Sequence, residues 1–289
     1  MRQGLLGAFA LFFTSMSFAA IPNQKLCRGI VPENDRWIGV DEIRISSISR
    51  AQFDSVLDRI QALYAQEVSQ NGAFLKIERF WSDGTVNAYA SQDGRKWTIS
   101  MYGGMARHPA LTPDGFALVA CHEMGHHLGG APKINDVRDR WASNEGQSDY
   151  YGSLKCMRRF FANDDNEKIV GRLKVDAEAS RRCARNHASR KEQLMCLRTT
   201  MAAMSLGAVL ADLNSVPLPK LTTPDKRKVN EMYESHPRAQ CRLDTYFQGA
   251  LCPVPVSAAL SPIDYRPGTC ADEGRYRDGL RPFCWFKTP

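Results

Sequence analysis

The stretch from Thr112 to Gly130 leaves the chain little conformational choice. Thr112-Pro113-Asp114 supplies a hydroxyl to cap a helix, a proline whose missing N–H costs nothing at the first helical position, and an acid facing the positive end of the helix dipole. Gly129-Gly130 ends the helix that those residues start. Ala117, Cys121, Met124 and Leu128 recur at helical spacing, so one face of it packs on a core. Beside that stripe lie His122, Glu123 and His126, in the order H-E-x-x-H. Histidines four apart project from one helix face, close enough to hold a single Zn²⁺. Glu123 stands about 100° further round, within reach of a water activated by the ion, and is the expected general base.

A catalytic zinc takes a third protein ligand and keeps one position open. No third histidine follows at the metzincin spacing, where Ala131, Pro132 and Lys133 stand instead. A second helix is expected from Ser143-Asn144 to about Phe161, with Glu145 and Asp149 four apart on one face. One of these carboxylates can ligate zinc, while the other accepts a hydrogen bond from a histidine's second nitrogen and fixes its tautomer. The plainer alternative is an acidic first turn favoured by the helix dipole alone.

Around these helices the chain reads as α+β. Ala51–Val68 carries a helical apolar period, and strands are expected at Thr85–Ala90 and Lys96–Met101, each preceded by a turn signal, Ser82-Asp83-Gly84 and Gln92-Asp93-Gly94. Further helices are expected at about 173–186, 190–213 and 225–234. The expected architecture is a small antiparallel sheet packed on a mainly helical core, followed by a Cys- and Pro-rich tail.

With 43% hydrophobic and 24% charged residues the 289-residue chain is neither disordered nor collagen-like. Residues 1–19 read as a secretory signal peptide: Arg2, an uncharged run from Leu5 to Phe13, then Ser17-Phe18-Ala19. The expected location is therefore periplasmic or secreted, with no transmembrane segment in the mature chain. Nine cysteines without a C-x-x-C pair fit disulfides in an oxidising compartment. Cys121, on an apolar stripe, is expected to be the unpaired one. The expected pairs are Cys183–Cys196, Cys241–Cys252, Cys270–Cys284 and Cys27–Cys156.

Four segments in order resemble the gluzincin metallopeptidases, specifically the CAAX prenyl endopeptidase/HtpX branch with its periplasmic BepA-type members. Val86-Asn87-Ala88-Tyr89-Ala90 resembles the family's N-A-[FY]-A edge strand, and Leu111–His126 its H-E-x-G-H helix. Glu145–Tyr151 resembles its E-x-x-A-D element, with Ser148 where alanine is usual, and Ser235-His236-Pro237 through Arg242-Leu243 its H-P-x-x-x-x-R-I element. The resemblance implies a zincin core with an edge strand over the cleft, Glu145 as third zinc ligand and Asp149 as partner of a zinc histidine. It also implies that Asn87, Ala88 and Tyr89 offer their backbone to an extended peptide, and that His236 and Arg242 lie near the cleft, one of them steadying the oxyanion. The family's transmembrane helices have no counterpart in this mature chain, nor does the tail have one in the family.

The expectation is thus an exported zinc endopeptidase acting on extended or unfolded polypeptides, with a metallopeptidase domain over 20–250 (motif core 74–243) and a tail over 251–289. A non-proteolytic zinc-binding envelope chaperone or scaffold that retains the cleft is the alternative. A disulfide-stapled interaction module with a chance motif is a further one. His127 is expected to be exposed or behind the ligands, and His108 and His187 to be surface residues. The net charge of +7, with the basic cluster around Cys183, reads as solvated surface with weak envelope association at most, and no nucleic-acid partner is expected.

Overall fold

The computed structural model describes the backbone of residues 25–26, and residues 29–42 and 48–288 in full; the expected signal peptide and Cys27 lie outside the described residues. Lys25–Leu26 forms a two-residue strand, β1. Helix α1 (Arg50–Gln70) starts at Ser49, which exchanges side-chain hydrogen bonds with Gln52 in a capping box, and it buries Phe53, Val56, Leu57, Ile60, Tyr64 and Val68. Strands β2 (Phe74–Phe80), β3 (Ala88–Asp93) and β4 (Lys96–Tyr102) follow, then a short helix α2 (Gly103–Arg107).

These strands form one sheet in the order β1-β3-β4-β2. β3 and β4 are an antiparallel hairpin, Ala88 opposite Met101 and Asp93 opposite Lys96, turning at Gly94 with φ +56°. β2 lies on the other side of β4 and parallel to it, Phe74 opposite Lys96 and Phe80 opposite Tyr102. The sheet is therefore mixed rather than purely antiparallel. The connection between Phe80 and Ala88 carries the chain past one strand position, and β4 later fills that gap. The connection is pinned from outside: Ile38 N–H donates to Gly84 O at 2.8 Å, and the Arg107 guanidinium donates to the carbonyls of Ile38, Trp81 and Asp83.

The helical layer comprises α3 (Pro113–Leu128), α4 (Glu145–Tyr151) and α5 (Met157–Phe161), the last two joined through one π-helical turn at Gly152–Cys156. Then come α6 (Asn166–Val170), α7 (Ala177–Asn186), α8 (Arg190–Leu213) and α9 (Ala239–Leu251). α3 is buried along most of its length. Its first turn is held by Arg198 of α8, which donates to Asp114 at 2.6 and 2.8 Å and to Asp164 at 2.6 Å. Among the described residues α8 is the one helix long and apolar enough to cross a bilayer, and 78% of that stretch is buried inside the protein.

Two expectations fail here for one reason. Residues 225–234 are not helical, because the tail uses their backbone: Val229 N–H donates to Phe283 O and Tyr233 N–H to Trp285 O, both at 2.9 Å. The same return of the tail decides the cysteines. Its end packs on α9, with Trp285 fully buried and its Nε1 donating to Thr245 Oγ1, so Cys241 pairs with Cys284 and Cys252 with Cys270. Cys183–Cys196 forms as expected and joins α7 to α8. Cys121 is not free: it pairs with Cys156 in the π-helical turn, which also overturns the Cys27–Cys156 expectation.

Candidate metal centre

Helix α3 presents His122 and His126 to the first turn of α4, and the two helices approach closely at Gly125. A Cβ on Gly125 would lie 2.8 Å from the Ser148 backbone, so the small residue inside H-E-x-x-H is what lets Glu145 come near. Thr112 caps α3 by accepting from Gly115 N–H at 3.1 Å, and Asn144 caps α4 by accepting from Gln147 N–H at 2.9 Å.

Each histidine is oriented from behind. His122 Nδ1 lies 2.7 Å from Asp149 Oδ1, and His126 Nδ1 lies 2.8 Å from the Ser143 carbonyl and 3.0 Å from Ser148 Oγ. A carboxylate and a carbonyl only accept, so both Nδ1 atoms carry the hydrogen, and in the neutral ring each Nε2 presents a lone pair. Those lone pairs converge on one carboxylate: His122 Nε2 stands 3.3 Å from Glu145 Oε2, and His126 Nε2 3.7 Å from Glu145 Oε1. Two ligands on one tetrahedral zinc, with bonds of about 2.0–2.1 Å, stand roughly 3.3–3.4 Å apart. Ligand atoms of His122, His126 and Glu145 all lie within 4.8 Å of one another.

The donor set fits a divalent cation on a second ground. Buried polar atoms are normally satisfied, yet His122 Nε2, Glu145 Oε2 and both Glu123 oxygens have no hydrogen-bond partner among the described residues. A cation held by His122 and Glu145 would satisfy the first two. The group can hold a metal ion; two imidazoles and a carboxylate are also the ligand set that catalytic zinc sites use.

Electrostatics point the same way. Burial drives Glu145 up, but His236, His122 and His126 outweigh it and hold its carboxyl down at about 2. Burial disfavours charge on His122, but Asp149 and Glu145 hold it up at about 9. The surroundings of its Nε2 thus favour positive charge. Burial, with His122 opposing and Glu145 adding, pushes Glu123 up to about 8. Asp149 stays ionised because Arg242 and His122 outweigh its burial; Arg242 donates to it from Nε and Nη2, both at 2.7 Å.

The expected edge-strand residues are bonded to residues 30–33. Ala88 O accepts from Ile30 N–H at 2.9 Å, and Asn87 brackets Val31, accepting from its N–H at 3.3 Å and donating to its carbonyl at 3.1 Å. Tyr89 OH lies 3.1 Å from Asn87 Nδ2 and 3.0 Å from Glu33. His236 Nε2 is 3.7 Å from Glu145 Oε2 and donates to the Gly29 carbonyl; Arg242 Nη1 donates to the Ile30 carbonyl. His236 and Arg242 thus do come to the centre, alongside His122, Glu123, His126, Glu145 and Asp149.

Three further histidines are buried, His108 and His187 against expectation, while His127 is, as expected, no ligand. His127 is buried between Trp97 and Trp141, with ring centroids at 5.2 and 5.1 Å, and its Nε2 faces Thr98 O. It is neither exposed nor a ligand. His108 is buried against Asp212, and His187 is buried with Nε2 donating to Ala250 O. The sequence reading missed Ser143, whose carbonyl orients His126, because no side-chain pattern marks a backbone acceptor. It also missed the bracing of α4 by the tail, where Arg281 Nε donates to Gln147 at 2.8 Å and Tyr150 OH to Gly279 O.

Compared with protein-family models, with curated proteins and with solved structures, the chain matches none.

Proposed function

We propose that this chain is an exported zinc-dependent endopeptidase of gluzincin type, acting in the periplasm or outside the cell on extended or unfolded polypeptides. The observation that carries the reading is Glu123: a fully buried carboxylate, both oxygens without a hydrogen-bond partner among the described residues, beside a convergent His-His-Glu group. A structural metal site has no use for such a carboxylate. An oxidising, extracytoplasmic location is supported by the four disulfides.

Zinc bound there supplies a Lewis acid that polarises the scissile carbonyl and acidifies water. Glu123 takes the proton of the attacking water on a carboxylate oxygen and returns it to the departing amide nitrogen. Asp149 and Ser143 hold the two imidazoles in the ligating tautomer, and Arg242 keeps Asp149 charged. His236 would stabilise negative charge on the scissile oxygen, a role supported by its donation to the Gly29 carbonyl. The β3 edge supplies the backbone groups that align an extended chain.

The test compares reduced casein cleavage by the zinc-loaded protein and its Glu123→Gln variant at equal zinc content. Loss of general-base catalysis lowers the rate by roughly 10²–10⁴-fold while zinc binding persists. Equal rates in the two proteins remove Glu123 from the chemistry. Zinc binding without cleavage by either, under all conditions including those of the next section, leaves a zinc-stabilised scaffold as the function.

A further inference from the structure

The centre is closed. His122, Glu123 and His126 are 0% exposed and Glu145 is 1% exposed, and residues 29–31, with Ile30 and Val31 themselves 0% and 1% exposed, reach it through His236 and Arg242. This segment runs antiparallel along the outer edge of β3. Lys25 and Leu26 stand opposite Gln92 and Ser91, and Ile30 N–H then bonds Ala88 O. Its carbonyls turn toward the centre: Gly29 O receives His236 Nε2 and Ile30 O receives Arg242 Nη1. An antiparallel strand on an open edge, with successive carbonyls held by groups that also contact Glu145 and Asp149, is how an extended substrate would lie.

We propose that the outer edge of β3 is the peptide-docking surface of this centre, and that its resident occupant is the chain's own Gly29–Val31, released when the exposed stretch Pro32–Arg36 is cut. The proposal rests on the endopeptidase reading and names how that site is regulated.

Two features separate a removable occupant from a permanent strand. Residues 32–36 are all exposed, touch the sheet only where Glu33 accepts from Tyr89 OH and Asn34 Nδ2 donates to Val86 O at 3.3 Å among the contacts described, and lie between Val31 on Asn87 and Ile38 on Gly84 and Arg107. A cut after Arg36, open to a protease that cleaves after basic residues, frees the occupant and leaves the second anchor in place. The seat also has one tight spot. A Cβ on Gly29 would lie 2.4 Å from Asn87 Oδ1, and that amide is fixed by Val31, Ala88 and Tyr89. The fit therefore depends on one glycine, and Gly29→Val unseats the segment without touching the metal ligands.

A short tether gives the occupant an effective concentration on the order of millimolar, so a peptide substrate at micromolar concentration competes poorly. Release raises casein cleavage at low substrate by roughly 10–100-fold. The experiment places a site-specific protease sequence at residues 32–36 of the full chain, folds and oxidises the protein, loads it with zinc, and then cuts it. A second protein carries Gly29→Val. Three readouts are taken: casein cleavage, binding of a fluorescent peptide of residues 25–32 by anisotropy, and hydrogen exchange at the β3 amides. The Glu123→Gln background serves for the last two.

Cut and Gly29→Val proteins should bind the peptide and cleave faster than the uncut parent, and added peptide should inhibit them. Peptide binding gained without cleavage in any form keeps the docking assignment and overturns the endopeptidase reading. Cleavage by the uncut parent that is unchanged in both the cut and Gly29→Val proteins, with no peptide binding and no change in exchange, overturns the proposal and leaves residues 29–31 as a permanent strand.

Discussion

Asp149→Asn tests the centre most directly, because it keeps volume and removes only charge and one acceptor. Asp149 is fully buried; Oδ1 faces His122 Nδ1 and Arg242 Nη2, and Oδ2 faces Arg242 Nε, all at 2.7 Å. Whichever way an asparagine amide turns, its NH₂ meets a donor. The variant also leaves a guanidinium that is 1% exposed without its direct counter-ion. Breaking a buried pair costs about 3–5 kcal/mol, and the retained oxygen places this variant near about 3. At about 2–4 °C per kcal/mol for a chain of this size, the metal-free protein melts about 6–12 °C lower. Separately, loss of the group that orients a ligating imidazole weakens zinc about 10–100-fold, or about 1.4–2.7 kcal/mol. The assays are calorimetric melting of the metal-free variant and zinc titration against a chromophoric chelator at neutral pH, with circular dichroism checking the fold. A lowered melting temperature with zinc affinity within about threefold of the parent confines Asp149 to holding α9, and the reasoning about the imidazole is wrong.

Other substitutions probe the supports of the site. Gly125→Ala, which on an exposed helix would stabilise, should instead destabilise by about 1–3 kcal/mol and weaken zinc, since its Cβ meets Ser148 backbone at 2.8 Å; a stabilised variant in urea melts contradicts the close α3–α4 approach. Trp285→Ala should cost about 3–5 kcal/mol, because the fully buried ring lies against Gly146 and donates to Thr245; a loss under about 1 kcal/mol places the tail outside the core. Burial pushes Asp244 up to about 6, above its unfolded value of about 3.9, so the folded state holds its proton more tightly. The associated stability is complete below about pH 4 and is lost as pH rises through about 6, on the order of 2–3 kcal/mol. Asp244→Asn should therefore gain on the parent over that interval in urea melts, and a difference that is flat in pH rules the assignment out.

What could be read from the sequence was local. Thr112, Pro113 and Gly129 fix the ends of α3 through groups within a few residues, and the observed helix, Pro113–Leu128, has those ends. The His122–His126 spacing and the Glu145–Asp149 spacing are helical geometry, so the side chains that converge could be named. Pairings across long stretches could not. Cys121 on an apolar stripe is buried whether or not it is oxidised, and only the π-helical turn after α4 brings Cys156 to it. The parallel β2–β4 pair depends on a connection skipping a strand position, which alternation within strands does not encode. α9 has no clear signal in the sequence although Ala239, Leu243, Tyr246, Phe247 and Ala250 lie on its buried face, because the stripe is interrupted by Arg242, which pairs with buried Asp149, and by Asp244, which accepts from the Asp225 backbone N–H. Residues 29–31 carry no periodicity at all; their role comes from what they lie against.

The Cys121–Cys156 bond has a bearing on how the ligand set is held together. It ties the residue next to His122 to the turn that continues the Glu145 helix. In a reducing compartment that weld is absent, and the two halves of the ligand set are held to each other only by packing. After oxidation they are fastened whether or not an ion is present, so the group that can hold a metal ion is assembled in advance of it. The bond therefore fixes the relative position of the two helices that carry His122, His126 and Glu145 independently of any ion.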